Sequence, residues 1–407
     1  MIATDVLVAG GGPAGLAAAL ALSKRGASVT IADSMMPPFD KTCGEGMMPD
    51  SLRELALLGV ELSADEGAEF HGIRFMGEAS RQTSHNATRD VAGRNKRTLQ
   101  AATAPFPSGI GLGIRRQVLH RQMAEQAEQS GIKLRWNCHV QLNPDGSLLC
   151  GGEQTCCGLL VGADGQGSRV RRWSGLEDGV TMSRRFGFRQ HFAVAPWSPY
   201  VEVHWGANSQ AYVAPVSSEA VCVIGMARNP QLRMTGVLEE LPWLAEKLCG
   251  GKAQRTPLDG ERGGGMMTRR LTHVARNRVA LVGDASGSVD AITGEGLAMG
   301  FRQALLLADC LANESLSQGL KRYDRLHPEI MRVPLVMARA MLLMDRYPML
   351  RERALHMLAA KPALLARMLG VHVGAEPLSR FLAARGWEVA LRLALPAVQR
   401  ARSTAEA

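Results

Sequence analysis

The segment Gly10-Gly11-Gly12-Pro13-Ala14-Gly15 constrains this chain more than any other. Before it lies an apolar run, Val6 to Ala9, of the kind found in buried parallel strands. After it comes Leu16-Ala17-Ala18-Ala19-Leu20-Ala21-Leu22-Ser23-Lys24, a strong helix former that stops at Gly26. A second apolar strand, Ser28 to Ala32, ends at Asp33. Strand, glycine turn, helix and strand make a βαβ unit, which commits this part of the chain to a parallel sheet. Gly10 permits the tight turn, Gly12 lets the backbone approach a pyrophosphate, and Gly15 lets helix and strand pack closely. Pro13 and Ala14 open the helix, whose free N–H groups and partial positive charge suit phosphate. Asp33, eighteen residues after Gly15, is placed to accept from ribose hydroxyls. The unit predicts dinucleotide binding without separating FAD from NAD.

Two later segments repeat the pattern of an apolar strand ending in an acid. Leu159-Leu160-Val161-Gly162-Ala163 runs into Asp164-Gly165, and Val279-Ala280-Leu281-Val282 runs into Gly283-Asp284. Gly294-Glu295-Gly296 then opens a helix from Leu297 to Asp309, and Gly113-Ile114-Arg115-Arg116 opens another toward Gln129. In this order the segments resemble the single-component FAD monooxygenases of the aromatic hydroxylase type and the related geranylgeranyl reductases, over residues 1 to about 315. The resemblance implies non-covalent FAD, with NAD(P)H as a transient electron donor. It implies that Asp164 and Gly165 close a strand beside the cofactor. Gly283 and Asp284 would meet the ribityl chain, where a carboxylate can accept two hydroxyls. Arg116 would reach the phosphates or the flavin edge, with Arg115 as the neighbour able to replace it. Gly294 and Gly296 would lie against the isoalloxazine, the helix N-terminus facing N1 and C2=O.

The chain departs from the hydroxylases where their Gly-Asp motif continues as Ala-Ala-His. Thr293-Gly294-Glu295-Gly296 is closer to the reductase branch, as is Lys41-Thr42-Cys43-Gly44-Glu45-Gly46-Met47-Met48-Pro49. In related enzymes this second loop passes over the flavin, which implies Gly44, Glu45 and Gly46 at the cofactor. Cys43 is a redox or nucleophilic candidate, or else a packing cysteine. No C-x-x-x-x-C follows the glycine turn, no second nucleotide fingerprint occurs, and the halogenase Trp-x-Trp-x-Ile-Pro pattern is missing.

Between Phe186 and Ala227 the pattern changes to short alternating strands, which predicts an antiparallel sheet. In the resembling families this sheet roofs the substrate pocket. Arg189, Trp205 and Tyr212 are the candidate substrate contacts, and His191 and His204 the candidate bases for a phenol or enol. From Lys321 onward the chain reads as helices broken at prolines 328, 334, 348, 362, 377 and 396, with basic residues outnumbering acidic ones roughly two to one. Methionines and leucines recur among them. Two readings stand: a helical cap on the cofactor-binding part with arginines in solvent, or an adaptable apolar channel with a cationic rim, suited to a lipid-like substrate or an anionic membrane surface.

The fold class expected is α/β: an FAD-binding Rossmann-type, glutathione-reductase-like domain with an inserted antiparallel sheet and C-terminal helices. Residues 1–60, 106–180 and 268–320 are assigned to the cofactor domain, 61–105 and 181–267 to the substrate domain, and 321–407 to the helical region. Net charge is +9, but aromatics are few and no nucleic-acid motif occurs, so no nucleic-acid partner is expected. The eight cysteines show no metal-ligand spacing, and no metal is expected. No leader precedes the first strand, so a cytoplasmic enzyme is expected, with peripheral membrane contact left open. The expected activity is FAD-dependent hydroxylation of a small aromatic, quinol-like or lipid-like substrate. The alternatives are reduction of a C=C bond and modification of a partner protein's side chains.

Overall fold

A computed structural model describes residues 2–78, 99–143, 147–249 and 257–386. Five parallel strands form its nucleotide-binding sheet, in the order Val279–Leu281, Glu153–Gly162, Ile2–Ala9, Val29–Ala32 and Lys133–Arg135. The register aligns Ala9 with Gly162 and Ala32, and Gly162 with Leu281. The three acid-bearing corners read from the sequence therefore leave strands on both sides of Ile2–Ala9 at one carboxyl edge, where open parallel sheets bind ligands. An antiparallel meander, Val140–Leu142 and Leu148–Cys150, folds back onto Glu153–Gly162.

The helix Pro13–Ser23 is apolar on nearly every side because it is covered on nearly every side. It packs beneath the sheet and against the helix Gly296–Leu311, with Leu16, Leu20, Phe301, Ala304 and Leu307 in one core. Close approach fixes two glycines here. A Cβ on Gly15 would stand 1.9 Å from the Gly10 carbonyl oxygen, and one on Gly10 would stand 2.4 Å from that of Ala163.

The second sheet has seven strands, in the order Arg262–Leu271, Gly179–Phe192, Val221–Ala227, Ser209–Pro215, Val201–Trp205, Gly72–Glu78 and Leu99–Pro105. Its pairs are antiparallel except one: Val201–Trp205 runs parallel to Gly72–Glu78, because the two belong to segments far apart in sequence. Gly67–Phe70 instead joins Gly46–Met47 and Gly111–Ile114 in a small third sheet. The polar stretch 82–96, whose composition reads as a loop, lies outside the described residues.

The C-terminal helices correct one expectation. Pro328 and Pro334 do not break the chain but sit inside a single helix, Leu316–Arg346, of 31 residues. Each proline costs a backbone hydrogen bond, but His327, Met331, Leu335 and Ala338 form a continuous buried stripe that offsets the loss. Tyr323 in the same helix donates to the Leu281 carbonyl at 2.8 Å, which pins the helix to the nucleotide-binding sheet. Pro348 and Pro362 each begin a helix, where a missing N–H costs nothing. These last helices pack on Leu99–Pro105, with Leu358, Leu364, Leu365 and Leu369 against Ala102 and Ala104.

Candidate active site

The glycine turn is braced from three sides. Asp33 accepts the Gly11 N–H at 2.7 Å through Oδ2 and the Met35 N–H at 2.8 Å through Oδ1. Each oxygen keeps a lone pair for a ribose hydroxyl. His120 donates from Nε2 to the Gly11 carbonyl at 2.8 Å, and burial holds its imidazole below the usual value and so neutral. Trp136 packs so closely that a Cβ on Gly11 would stand 2.2 Å from its ring. Neither His120 nor Trp136 was legible from a motif, because both reach the turn from distant segments.

Around this turn a cavity of about 220 Å³ is lined by Gly10, Asp33, Cys138, Val140, Asp164 and Trp173, among others. It joins the first acid-bearing corner to the second, as an adenosine moiety would. Asp164 has a second task that the sequence reading missed. Its carboxylate accepts from the Ser168 hydroxyl and from the N–H groups of Arg169 (2.7 Å) and Val170 (3.2 Å), capping the turn that begins there. It shapes the pocket wall more than it offers free acceptors.

Further along the cleft the residues fit the rest of a dinucleotide. A Cβ added to Gly12, Gly294 or Gly296 would meet nothing within 4 Å, so these backbones face open space. Arg116 has a buried Nη1 with no hydrogen-bond partner, a cation awaiting an anion. Asp284 keeps accessible surface while ringed by protein, as a group lining a deep cleft does. Desolvation raises its carboxyl above the usual range, against the pull of Lys41 and Arg116. Lys41 Nζ lies 3.6 Å from where a Cβ of Gly165 would stand, which puts a second cation at the second corner.

The loop before Gly46 is held by a buried charge network centred on Glu45. Glu45 is 3% exposed and sits at φ +57°, a left-handed conformation that costs a non-glycine residue about 1 kcal/mol or more. Its carboxylate accepts the N–H of Arg116 at 2.9 Å, Arg189 Nη1 at 3.2 Å and His191 Nε2 at 2.6 Å. Asp40 clasps Arg189 at 2.7 and 3.0 Å, and Asp259 meets both Arg189 (3.2 Å) and His191 Nδ1 (2.7 Å). Arg115 stands 3.0 Å from His191 Nδ1.

Three expected roles change in consequence. Glu45 positions the loop and the Arg116 helix rather than offering its carboxylate to a cofactor. Arg189 has both terminal nitrogens committed to Asp40, Glu45 and Asp259, with only its buried Nε left unpartnered, so its charge serves this network rather than a substrate. His191 has both ring nitrogens engaged and is not a free base. Cys222 brings a thiol within 4.8 Å of Glu45 and His191, but the guanidinium of Arg189 already fills the cation position at that carboxylate.

His204 is corrected by strand alternation. His191, Cys222, Ile224, Tyr212 and Trp205 project from one face of the second sheet, whereas His204 pairs with Ala211 on the other. There it accepts from Trp243 Nε1 at 3.0 Å and donates to Glu202 at 3.1 Å, far from the cofactor cleft. Cys43 accepts a weak contact from the Glu45 N–H at 3.5 Å, and its carbonyl lies 3.8 Å from Cys222 Sγ. Gly44 lies under Ile224, with 3.8 Å between an added Cβ and Cδ1.

Tyr212 and Trp205 do face the cleft side. Tyr212 donates to the Ile292 carbonyl and ties the sheet to the turn that precedes Gly294; burial drives its hydroxyl well above the usual phenol range. Trp205 stacks on Phe75 at 5.5 Å and has a buried Nε1 without a partner. Methionines 299, 331, 341 and 344 from the two long helices surround these rings and Ile292. Glu295, between the two glycines, is 1% exposed and lies 3.4 Å from His372 Nδ1. Burial pushes its carboxyl up to about 7. His372 also donates to the Thr293 carbonyl at 3.1 Å.

A parallel sheet with three converging acid corners, roofed by a second sheet, defines an FAD-dependent oxidoreductase. The profile of a family described as an FAD binding domain matches residues 3–326, and the chain belongs to that family. It is 25% identical over 349 residues to a menaquinone reductase of Mycolicibacterium smegmatis, covering 80% of each chain. It is 26% identical over 342 residues to digeranylgeranylglycerophospholipid reductase 1 of Methanothermobacter thermautotrophicus, covering 79% of this chain and 81% of that one. In fold it resembles a flavoprotein/dehydrogenase from Cytophaga hutchinsonii, with a TM-score of 0.75 at 15% identity, covering 96% of this chain and 98% of that one. The expectations of FAD, of an oxidoreductase and of the fold class are borne out.

Proposed function

We propose that this enzyme uses FAD and NAD(P)H to saturate a C=C bond in a long apolar substrate of the prenyl-lipid or prenylquinone kind. The observation that carries the reading is the methionine-rich, aromatic cluster packed between the second sheet and the Gly294–Gly296 helix entry. Methionine side chains adapt to irregular apolar ligands. The names of the reductase relatives support the same substrate class. Bound FAD supplies hydride chemistry.

The chain's own residues supply the rest. Gly12 and Arg116 hold the phosphates, and Asp284 the polyol. Saturating a C=C bond also takes a proton, and Glu295 is a carboxylic acid that burial raises to about 7, so that near neutrality a large share of it still carries a proton, with His372 3.4 Å away. Hydroxylation, the other reading, gains from a base at the substrate, and both candidate histidines are committed elsewhere.

Access from an anionic bilayer fits the outer stripe of the long helix. Arg332, Arg339 and Arg346 alternate along it with Val336 and Leu343, and Tyr347 follows at its end; these three are 40%, 49% and 49% exposed. Among the described residues no single helix is long and apolar enough to cross a membrane.

The test is product mass under labelled oxygen with prenylated quinones and phenols. Reduction predicts a product heavier by two hydrogens, formed equally well without oxygen. Label in the product would overturn the proposal in favour of hydroxylation.

A further inference from the structure

Beside the adenosine pocket lies a pair of thiols for which nucleotide binding has no use. Cys138 and Cys150 are 6% and 0% exposed, and their Sγ atoms are 2.8 Å apart. The meander places them. Cys150 pairs with Val140 across the antiparallel strands, and the Gly151 N–H donates to the His139 carbonyl at 2.9 Å, which brings Cys138 alongside. Cys138 also donates its backbone N–H to the Asp33 carbonyl at 2.8 Å, and with His139 and Val140 it lines the cavity that contains Gly10 and Asp33. Cys138 thus lines the pocket while its partner Cys150 is sealed behind it. Burial, reinforced by the neighbouring thiol, pushes Cys150 up to about 12. Cys138, which lines the cavity that Cys150 does not reach, is the sulfur placed to react first.

We propose that Cys138 and Cys150 form an oxidisable dithiol whose access is controlled by the adenosine end of FAD. The oxidant class is a small peroxide, which fits a cavity of about 220 Å³. The Cys138 thiolate attacks one oxygen of hydrogen peroxide, the O–O bond breaks, and the departing hydroxide leaves as water, giving a sulfenic acid. The Cys150 sulfur then displaces hydroxide from the Cys138 sulfur and gives up its proton, so that a second water leaves as the S–S bond forms. Two thiols lose two electrons between them, and one peroxide becomes two waters. An S–S bond of about 2.05 Å is less than an ångström of motion away from the present separation. Bound FAD would cover Cys138, the cysteine that lines this pocket, so the cofactor-loaded enzyme would be protected and the cofactor-free form marked.

The experiment compares FAD-depleted and FAD-saturated protein exposed to stoichiometric hydrogen peroxide, quenched by alkylation and mapped by mass spectrometry. The expected result is a Cys138–Cys150 linked peptide pair, two hydrogens lighter, that forms at least about tenfold more slowly with FAD bound. In Cys150→Ser, a sulfenic acid trapped by a dione probe should appear at Cys138, and in Cys138→Ser neither product should form. The exposed Cys156 serves as the internal reference for unprotected oxidation. A linked pair that never forms while Cys156 oxidises, or one that forms equally fast with and without FAD, would overturn the proposal. The comparison in unaltered protein stands even if a variant folds poorly.

Discussion

Replacing Glu295 by Gln keeps the side chain's size and removes its ionisation, so it isolates one buried acid. In the folded chain this carboxyl is raised from 4.5 to about 7. Desolvation is the main cause, with Asp50 adding to it and His372 and Arg302 opposing it. The folded state therefore holds this proton more tightly than the unfolded chain does. Stability contributed by the group is full below about pH 4.5 and is lost as pH rises through about 7. At about 1.4 kcal/mol per pH unit, the full rise amounts to about 3 kcal/mol, which E295Q should not lose. The assay is urea unfolding of both proteins at equal FAD loading, from about pH 5 to about pH 8. E295Q should be close to the parent at the acidic end and more stable by up to about 3 kcal/mol at the basic end. A gap that does not change with pH, or that narrows as pH rises, would refute the reasoning.

Arg189→Met leaves Asp40, Glu45 and Asp259 without their shared cation; it should cost about 3–5 kcal/mol, read as a lower urea midpoint. Arg116→Met removes the cation with the unpartnered Nη1; FAD should bind about tenfold or more weakly and with a smaller salt dependence, measured by flavin fluorescence titration. Tyr212→Phe removes the donor to the Ile292 carbonyl; it should cost about 1–3 kcal/mol and loosen the turn before Gly294, seen as faster amide exchange at Gly294 and Glu295.

The nucleotide half was legible because its physics is local. A turn that must hold Gly10 and Gly15 against neighbouring backbone, followed by an apolar helix, admits few alternatives. The corners at Asp164 and Asp284 repeat that logic one strand away. The roof was harder to read. Alternation puts Arg189 and His191 on one face, but a sequence cannot show that Asp40 and Asp259 close on them from segments about 150 and 70 residues away. His204 failed for a simpler reason: one step along a strand reverses the face. The prolines misled because a buried stripe on a 31-residue helix outweighs their local cost. Glu295 was read as part of a glycine-rich helix entry, and its partner His372 comes from a helix that no motif connects to it.

The central claim is that separate corners of one sheet edge hold a single FAD in an extended pose, the adenosine at Asp33 and Asp164 and the flavin at Gly294–Gly296. Titrating cofactor-free protein with FAD and with FMN, which lacks the adenosine, tests it directly. The account predicts one FAD per chain and FMN binding weaker by about a hundredfold or more. Equal affinity for the two flavins, or no uptake of either by folded protein, would contradict it.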